Sequence, residues 1–83
     1  MKTETHLKME TYAKHEKWAK QLNFRVNYTD TEGIYSVKPF GNFDSAVNFA
    51  AAQSEITEWA DLYVGEVVKM TFSNGVLVWE DSI

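Results

Sequence analysis

Apolar positions along this chain switch between the spacing of a helix and that of a strand, and the switches predict helix, hairpin, helix, hairpin. In residues 1–22 the apolar side chains Leu7, Met9, Tyr12, Ala13, Trp18, Ala19 and Leu22 form a ragged helical stripe without Gly or Pro. Glu precedes Lys by four positions at Glu4/Lys8, Glu10/Lys14 and Glu16/Lys20, and each such pair adds about 0.2–0.5 kcal/mol to an exposed helix. Thr3 or Thr5 is suited to cap it. A stripe this uneven predicts a helix that docks loosely on the rest of the domain.

From residue 23 the period falls to two. Phe24, Val26 and Tyr28 alternate with Arg25 and Asn27, the pattern of a half-buried strand. Residues 29–33 carry turn chemistry, with Gly33 free to take positive φ. Residues 34–38 return, and Pro39 is expected to end the strand because it cannot donate to a ladder. A second helix is expected from Asp44 or Ser45 to about Leu62, with Ala46, Phe49, Ala50, Gln53, Ile56 and Ala60 along one face and Ala52, Trp59 and Tyr63 flanking it. Three successive alanines at 50–52 let it approach a sheet closely.

The last segment carries the strongest local signal. Residues 64–73 and 76–80 are strand-rich and joined by Asn74-Gly75, the pair preferred in type I′ hairpin turns. A two-residue loop predicts Phe72 opposite Leu77, Met70 opposite Trp79 and Lys69 opposite Glu80. Val68, Met70, Phe72, Leu77 and Trp79 then share one face, with Lys69, Thr71, Val76, Val78 and Glu80 on the other. Gly65 within its strand suggests a bulge or bend. The expected fold is α+β, in the order αββαββ, as one domain over residues 1–83. A basic N-terminal helix (1–22) precedes a ββαββ body (23–83), whose four-stranded, mainly antiparallel sheet carries helix two on one face. Helix one is expected on the same layer or against the other face.

Composition makes this core plausible but small. A chain of 83 residues buries only roughly 60–65 % of its unfolded surface, so large side chains must be used well. Three Trp, four Tyr and five Phe supply them. The absence of cysteine favours a reducing compartment. The charged first residues lack a signal peptide's apolar run, and no stretch approaches the roughly 20 apolar residues of a membrane span. A cytoplasmic protein with no membrane partner is therefore expected. Net charge is −4, unevenly spread. Residues 1–20 hold five lysines against three glutamates, and residues 21–83 hold three basic against nine acidic residues, giving +2 and −6.

Candidate chemistry is sparse. His6 and His15 are nine residues apart, which at 100° per residue is about 900° and places them on opposite helix faces, unable to share a metal. Residues 30–33, Asp-Thr-Glu-Gly, lack the alternating acids and distal Glu of a calcium loop. No glycine-rich phosphate loop is present. Neither a cofactor nor a catalytic residue is expected, and the chain is read as a non-enzyme. Glu55, Glu58 and Asp61 fall at helical spacing of three around Trp59, and an exposed helix face offers no cleft for acid–base work. These four residues are instead a candidate docking surface for another protein with a basic surface. Thr71, Val76 and Val78 form a second candidate surface, covered by helix one or by another chain, a second copy or a partner. Residues 33–40 faintly echo an RNA-recognition strand but lack its basic-aromatic pattern, and the acidic body makes nucleic acid an unlikely partner, reachable only through the basic first helix.

Two resemblances bear on this reading. Residues 41–46, Gly-Asn-Phe-Asp-Ser-Ala, followed by Phe49-Ala50, resemble the strand-to-helix junction of small three-stranded DNA-binding domains such as the plant AP2 type. The arginine- and tryptophan-rich strands that those domains lay on DNA are absent, so the likeness implies the helix start alone. A compact acidic chain of this kind is also similar to accessory proteins of phages and mobile elements, which implies inhibition or regulation of a host protein through an acidic, aromatic surface. The alternative is a homo-oligomeric structural protein.

Overall fold

The computed structural model describes Trp18 and residues 23–81. Their elements run β1 (Phe24–Thr29), β2 (Tyr35–Phe40), α1 (Phe43–Thr57), β3 (Trp59–Val64), β4 (Val67–Ser73) and β5 (Val76–Glu80). All neighbouring strands are antiparallel, in one five-stranded sheet ordered β2-β1-β3-β4-β5. This corrects the expected αββαββ fold with its four-stranded sheet. Among the described residues the order is β-β-α-β-β-β, with one helix. The helix expected over residues 1–22 lies outside the described residues except at Trp18, which is helical and buried.

The fifth strand comes from residues expected to continue the second helix. Asn42 caps α1, its side-chain oxygen accepting from the Ser45 amide at 2.9 Å. Phe43, Ala46, Val47, Ala50, Ala51 and Ser54 are buried, a stripe with true helical spacing. The stripe ends there. Ile56, expected on the buried face, is solvent-exposed. Glu58 then takes φ 84 while its N–H still donates to Ser54 O, an αL cap that turns the chain into β3. From Trp59 the burial alternates, with Ala60 and Leu62 in the core. Period two had been masked because Ile56, Ala60 and Tyr63 also fit helical spacing.

α1 lies across the face formed by Phe24 and Val26 of β1, Ala60 and Leu62 of β3, and Met70 and Phe72 of β4. Register lines these residues up. Leu62 stands between Val26 and Met70, and Ala60 between Tyr28 and Phe72. Small residues on the helix bring its axis close, and aromatic pairs fill the ends. Phe24 meets Phe43 at 5.5 Å between ring centroids, and Phe49 meets Tyr28 at 5.2 Å and Phe40 at 5.3 Å. Trp18, 5 % exposed, belongs to the same core cluster, with the Lys69 ammonium 5.2 Å from its ring.

The second hairpin forms with Asn74 at φ 53 and Gly75 at φ 86, the two left-handed residues of a type I′ turn. Phe72 faces Leu77 as expected. One step further the register shifts, so that Thr71 faces Trp79 and Met70 faces Glu80, with Val78 the extra residue of a bulge. The expected Met70/Trp79 and Lys69/Glu80 pairs are therefore replaced. Trp79 joins the face of Thr71, and Lys69 pairs with Asp81 at 2.7 Å. A second irregularity falls between Leu62 and Tyr63 of β3, where β4 carries Lys69 as the extra residue. Gly65 serves the β3–β4 turn at φ 65. Pro39 does not end β2 but lies within it, opposite Arg25, tolerated because β2 is an edge strand.

Ser54 ties helix to hairpin. It is fully buried, its hydroxyl donates to Ala51 O at 2.9 Å and accepts from the Gly75 amide at 2.8 Å. Gly75 takes the turn's positive φ, and a Cβ there would require the exposed Glu55 side chain to move aside. Replacing Ser54 by Ala strands the buried Gly75 amide and is expected to cost about 1–3 kcal/mol, measurable by urea denaturation. A loss below about 0.5 kcal/mol would contradict this role.

Candidate functional site

Because strand side chains alternate, every residue that faces α1 is flanked by residues facing away. The face opposite the helix thus holds Arg25, Asn27 and Thr29 of β1, Tyr35 and Val37 of β2, and Trp59, Asp61 and Tyr63 of β3. Thr71 and Ser73 of β4 join them, and the Val78 bulge adds both Val76 and Trp79 of β5. One row crosses the whole sheet, running Val37, Asn27, Asp61, Thr71, Trp79. Beside it Tyr35 stands opposite Thr29, and Trp59 opposite Ser73, which pairs with Val76.

The row is polar in its middle and aromatic or apolar at its rim. Thr71 Oγ1 donates to Asp61 Oδ1 at 2.8 Å. Asn27 Nδ2 donates to Tyr35 Oη in a short hydrogen bond, and the Tyr35 ring stacks on Trp59 with centroids 6.2 Å apart and 28° between planes. Asn27 is 6 % exposed, and its Oδ1 is buried without a hydrogen-bond partner. An unsatisfied buried acceptor costs about 1–3 kcal/mol, so this is a costly place for an amide unless a donor arrives. Around it Tyr35 is 61 % exposed, Val76 49 % and Trp79 47 %, with Val37 similarly open. Exposed aromatics clustered on one face are unusual for a solvated surface.

The three basic side chains among the described residues, Arg25 on this same face included, are all engaged. Arg25 donates to Gly65 O at 2.9 Å, lies 4.4 Å over the Tyr63 ring and approaches the exposed Glu66 at 3.8 Å. Lys69 pairs with Asp81. Lys38 stands opposite Val26 on the helix side, near the Phe40 and Phe49 rings.

The expected acidic stripe is not assembled. Glu55 is exposed on α1 beside Gly75, and Glu58 is the exposed cap of the helix. Trp59 and Asp61 lie on β3, facing away from α1, because the helix ends before them. Of the second expected surface, Thr71 and Val76 do share this face, while Val78 is the exposed bulge residue. Trp79, expected on the helix side, joins them. Asn27, Tyr35 and Val37 went unremarked as site residues, although the alternation of the first hairpin already places Asn27 opposite the Phe24/Val26 face. No glycine or proline within β5 itself signals the Val78 bulge. His6 and His15 lie outside the described residues, among which no group of three or more His, Cys, Asp or Glu is placed to hold a metal ion. No helix of the described residues is long and apolar enough to cross a membrane. Comparison with protein families, with characterised proteins and with solved structures finds no match for this chain.

Tyr35 owes its position to the turn before it. The Asp30 carboxylate accepts from the amides of Ile34 at 3.0 Å and Glu32 at 2.9 Å, and Gly33 takes φ 82. The Ile34 amide foremost, then the Glu32 amide and the Ser36 hydroxyl, hold the Asp30 carboxyl below its ordinary value of 3.8 against the opposing cost of desolvation. A depressed folded-state value means a contribution present above the unfolded value and lost as pH falls through the folded one. Acid titration followed by carboxyl NMR is expected to show Asp30 titrating below 3.8, with the Tyr35 amide shift following the same curve. A midpoint at or above that value would contradict the turn geometry.

Proposed function

We propose that this protein is a binding module without chemistry of its own, which engages another protein through the face of its sheet opposite α1. The observation that carries the reading is Trp79, set by the Val78 bulge on that face and left nearly half exposed beside Val76. Tyr35, Trp59 and Val37 extend the same surface. Trp and Tyr are the residues that dominate protein interfaces, since each buries a large rigid area at little entropic cost. The engaged state of Arg25, Lys38 and Lys69 favours a protein over a phosphate-rich partner. Both sheet edges are blunted, β2 by Lys38 and Pro39 and β5 by its bulge, which favours binding through the face rather than by strand addition. A small cysteine-free acidic chain of this kind suits a cytoplasmic accessory protein, of the type phages and mobile elements carry, that acts by covering a surface of its target. A second copy of the chain is the alternative occupant.

The test is capture from a lysate of the source organism by immobilised wild type, Trp79→Ala and a Glu55→Gln/Glu58→Gln control, with thermal midpoints checked for each. A wild-type partner is expected to lose roughly 30-fold in affinity or more with Trp79→Ala, a loss of about 2 kcal/mol, and to be retained by the control. Equal capture by Trp79→Ala would contradict the assignment of this face. Sedimentation of the free protein separates self-association from a distinct partner.

A further inference from the structure

We infer that the centre of this face is a receptor for a basic side chain, the ammonium of a lysine or the guanidinium of an arginine presented by the partner protein. The inference rests on the reading of the face as an interaction surface and names the chemistry it recognises. The groups at the centre of the row with hydrogen-bonding capacity left over are acceptors. Asn27 Oδ1 is buried and unpartnered. Asp61 Oδ1 accepts from Thr71, which leaves Oδ2 without a protein donor among the described residues. Tyr35 Oη, which already accepts from Asn27, stands beside them.

A lysine or arginine brings only donors, and so matches this set. A carboxylate or phosphate would bring more acceptors and meet the charge of Asp61. An apolar side chain would leave the acceptors buried and unpaired. Tyr35 and Trp59, stacked on one another, and Trp79 beyond Thr71 are aromatic rings of this face, and such a ring attracts a cation through its quadrupole. No basic side chain of the body competes, because Arg25 is held by Gly65 O and Tyr63, Lys69 by Asp81, and Lys38 lies on the helix side. The acidic balance of residues 21–83, three basic against nine acidic, draws a positively charged partner to the body as a whole.

The probes are the N-acetyl methylamides of lysine, of arginine and of the neutral isostere norleucine. Each is titrated into the full chain while the Asn27 side-chain amide and the Trp59 and Trp79 indole N–H signals are followed by NMR. The cationic probes are expected to shift these signals saturably in the millimolar range, as suits a single side chain, and more weakly as salt is raised. Asp61→Asn, which keeps the acceptor for Thr71, is expected to weaken the cationic probes roughly tenfold. Tyr35→Phe, which leaves the ring and removes its hydroxyl, is expected to alter the Asn27 shift while retaining binding. Equal shifts with norleucine, or silence of both cationic probes up to about 100 mM, would overturn the inference. Silence of the probes together with loss of partner capture by Trp79→Ala would overturn it while leaving the face as the binding surface.

Discussion

The central position of β3, hydrogen-bonded to β1 on one side and to β4 on the other, is the constraint on which the rest of the molecule depends. Leu62 bridges Val26 and Met70 in the core, and Ala60 lies in the next row between Tyr28 and Phe72. Removing such a buried leucine costs about 2–5 kcal/mol in a typical core, a large fraction of what a domain this small can have in hand. The strand must also begin immediately after the helix, so α1 ends in an αL residue that is not glycine. Glu58 bears a backbone strain of roughly 1–2 kcal/mol. The second turn helps hold it there. The Asn74 amide donates to Glu58 O at 3.2 Å while the Gly75 amide donates to Ser54 Oγ. Helix end and hairpin tip are thus locked into one unit, and the position of β3 between its neighbours follows from that lock.

The same geometry makes the molecule two-faced. Side chains of β3 that point toward α1 are small or aliphatic, and those that point away, Trp59, Asp61 and Tyr63, are aromatic or charged. Among the described residues α1 covers one face of the sheet, and the opposite face carries the exposed Tyr35, Val76 and Trp79. At its polar centre Asn27 is buried with Oδ1 unpartnered, and Thr71 donates to Asp61. Stability and recognition are in tension at that point, as expected where a surface is kept for binding.

Much of this was legible in the residues. Asn74-Gly75 specified the second turn and the Phe72/Leu77 pair, residues 29–33 specified the first turn, and Ala46 and Ala50 marked the helix surface that touches the sheet. What was not legible came from ambiguity of period and from bulges. Residues 56–63 satisfy both helical and strand spacing, and only the pairing offered by β1 and β4 on either side decides for the strand. The Val78 bulge carries no residue that announces it, and it alone moves Trp79 across the sheet. The acidic stripe of Glu55, Glu58 and Asp61 was lost with the helix that would have carried it, whereas Thr71 and Val76 kept their face because alternation near a two-residue turn is robust.

The account stands most directly on where β3 lies. A NOESY spectrum of the labelled protein settles that without reference to any partner. Cross-strand contacts between the backbones of Asn27 and Asp61, and of Asp61 and Thr71, are the predicted result, with strong sequential Hα–HN peaks through residues 59–64. Amide–amide peaks continuing unbroken from residue 54 to 62, as in an extended helix, would contradict it and would dismantle the binding face with it.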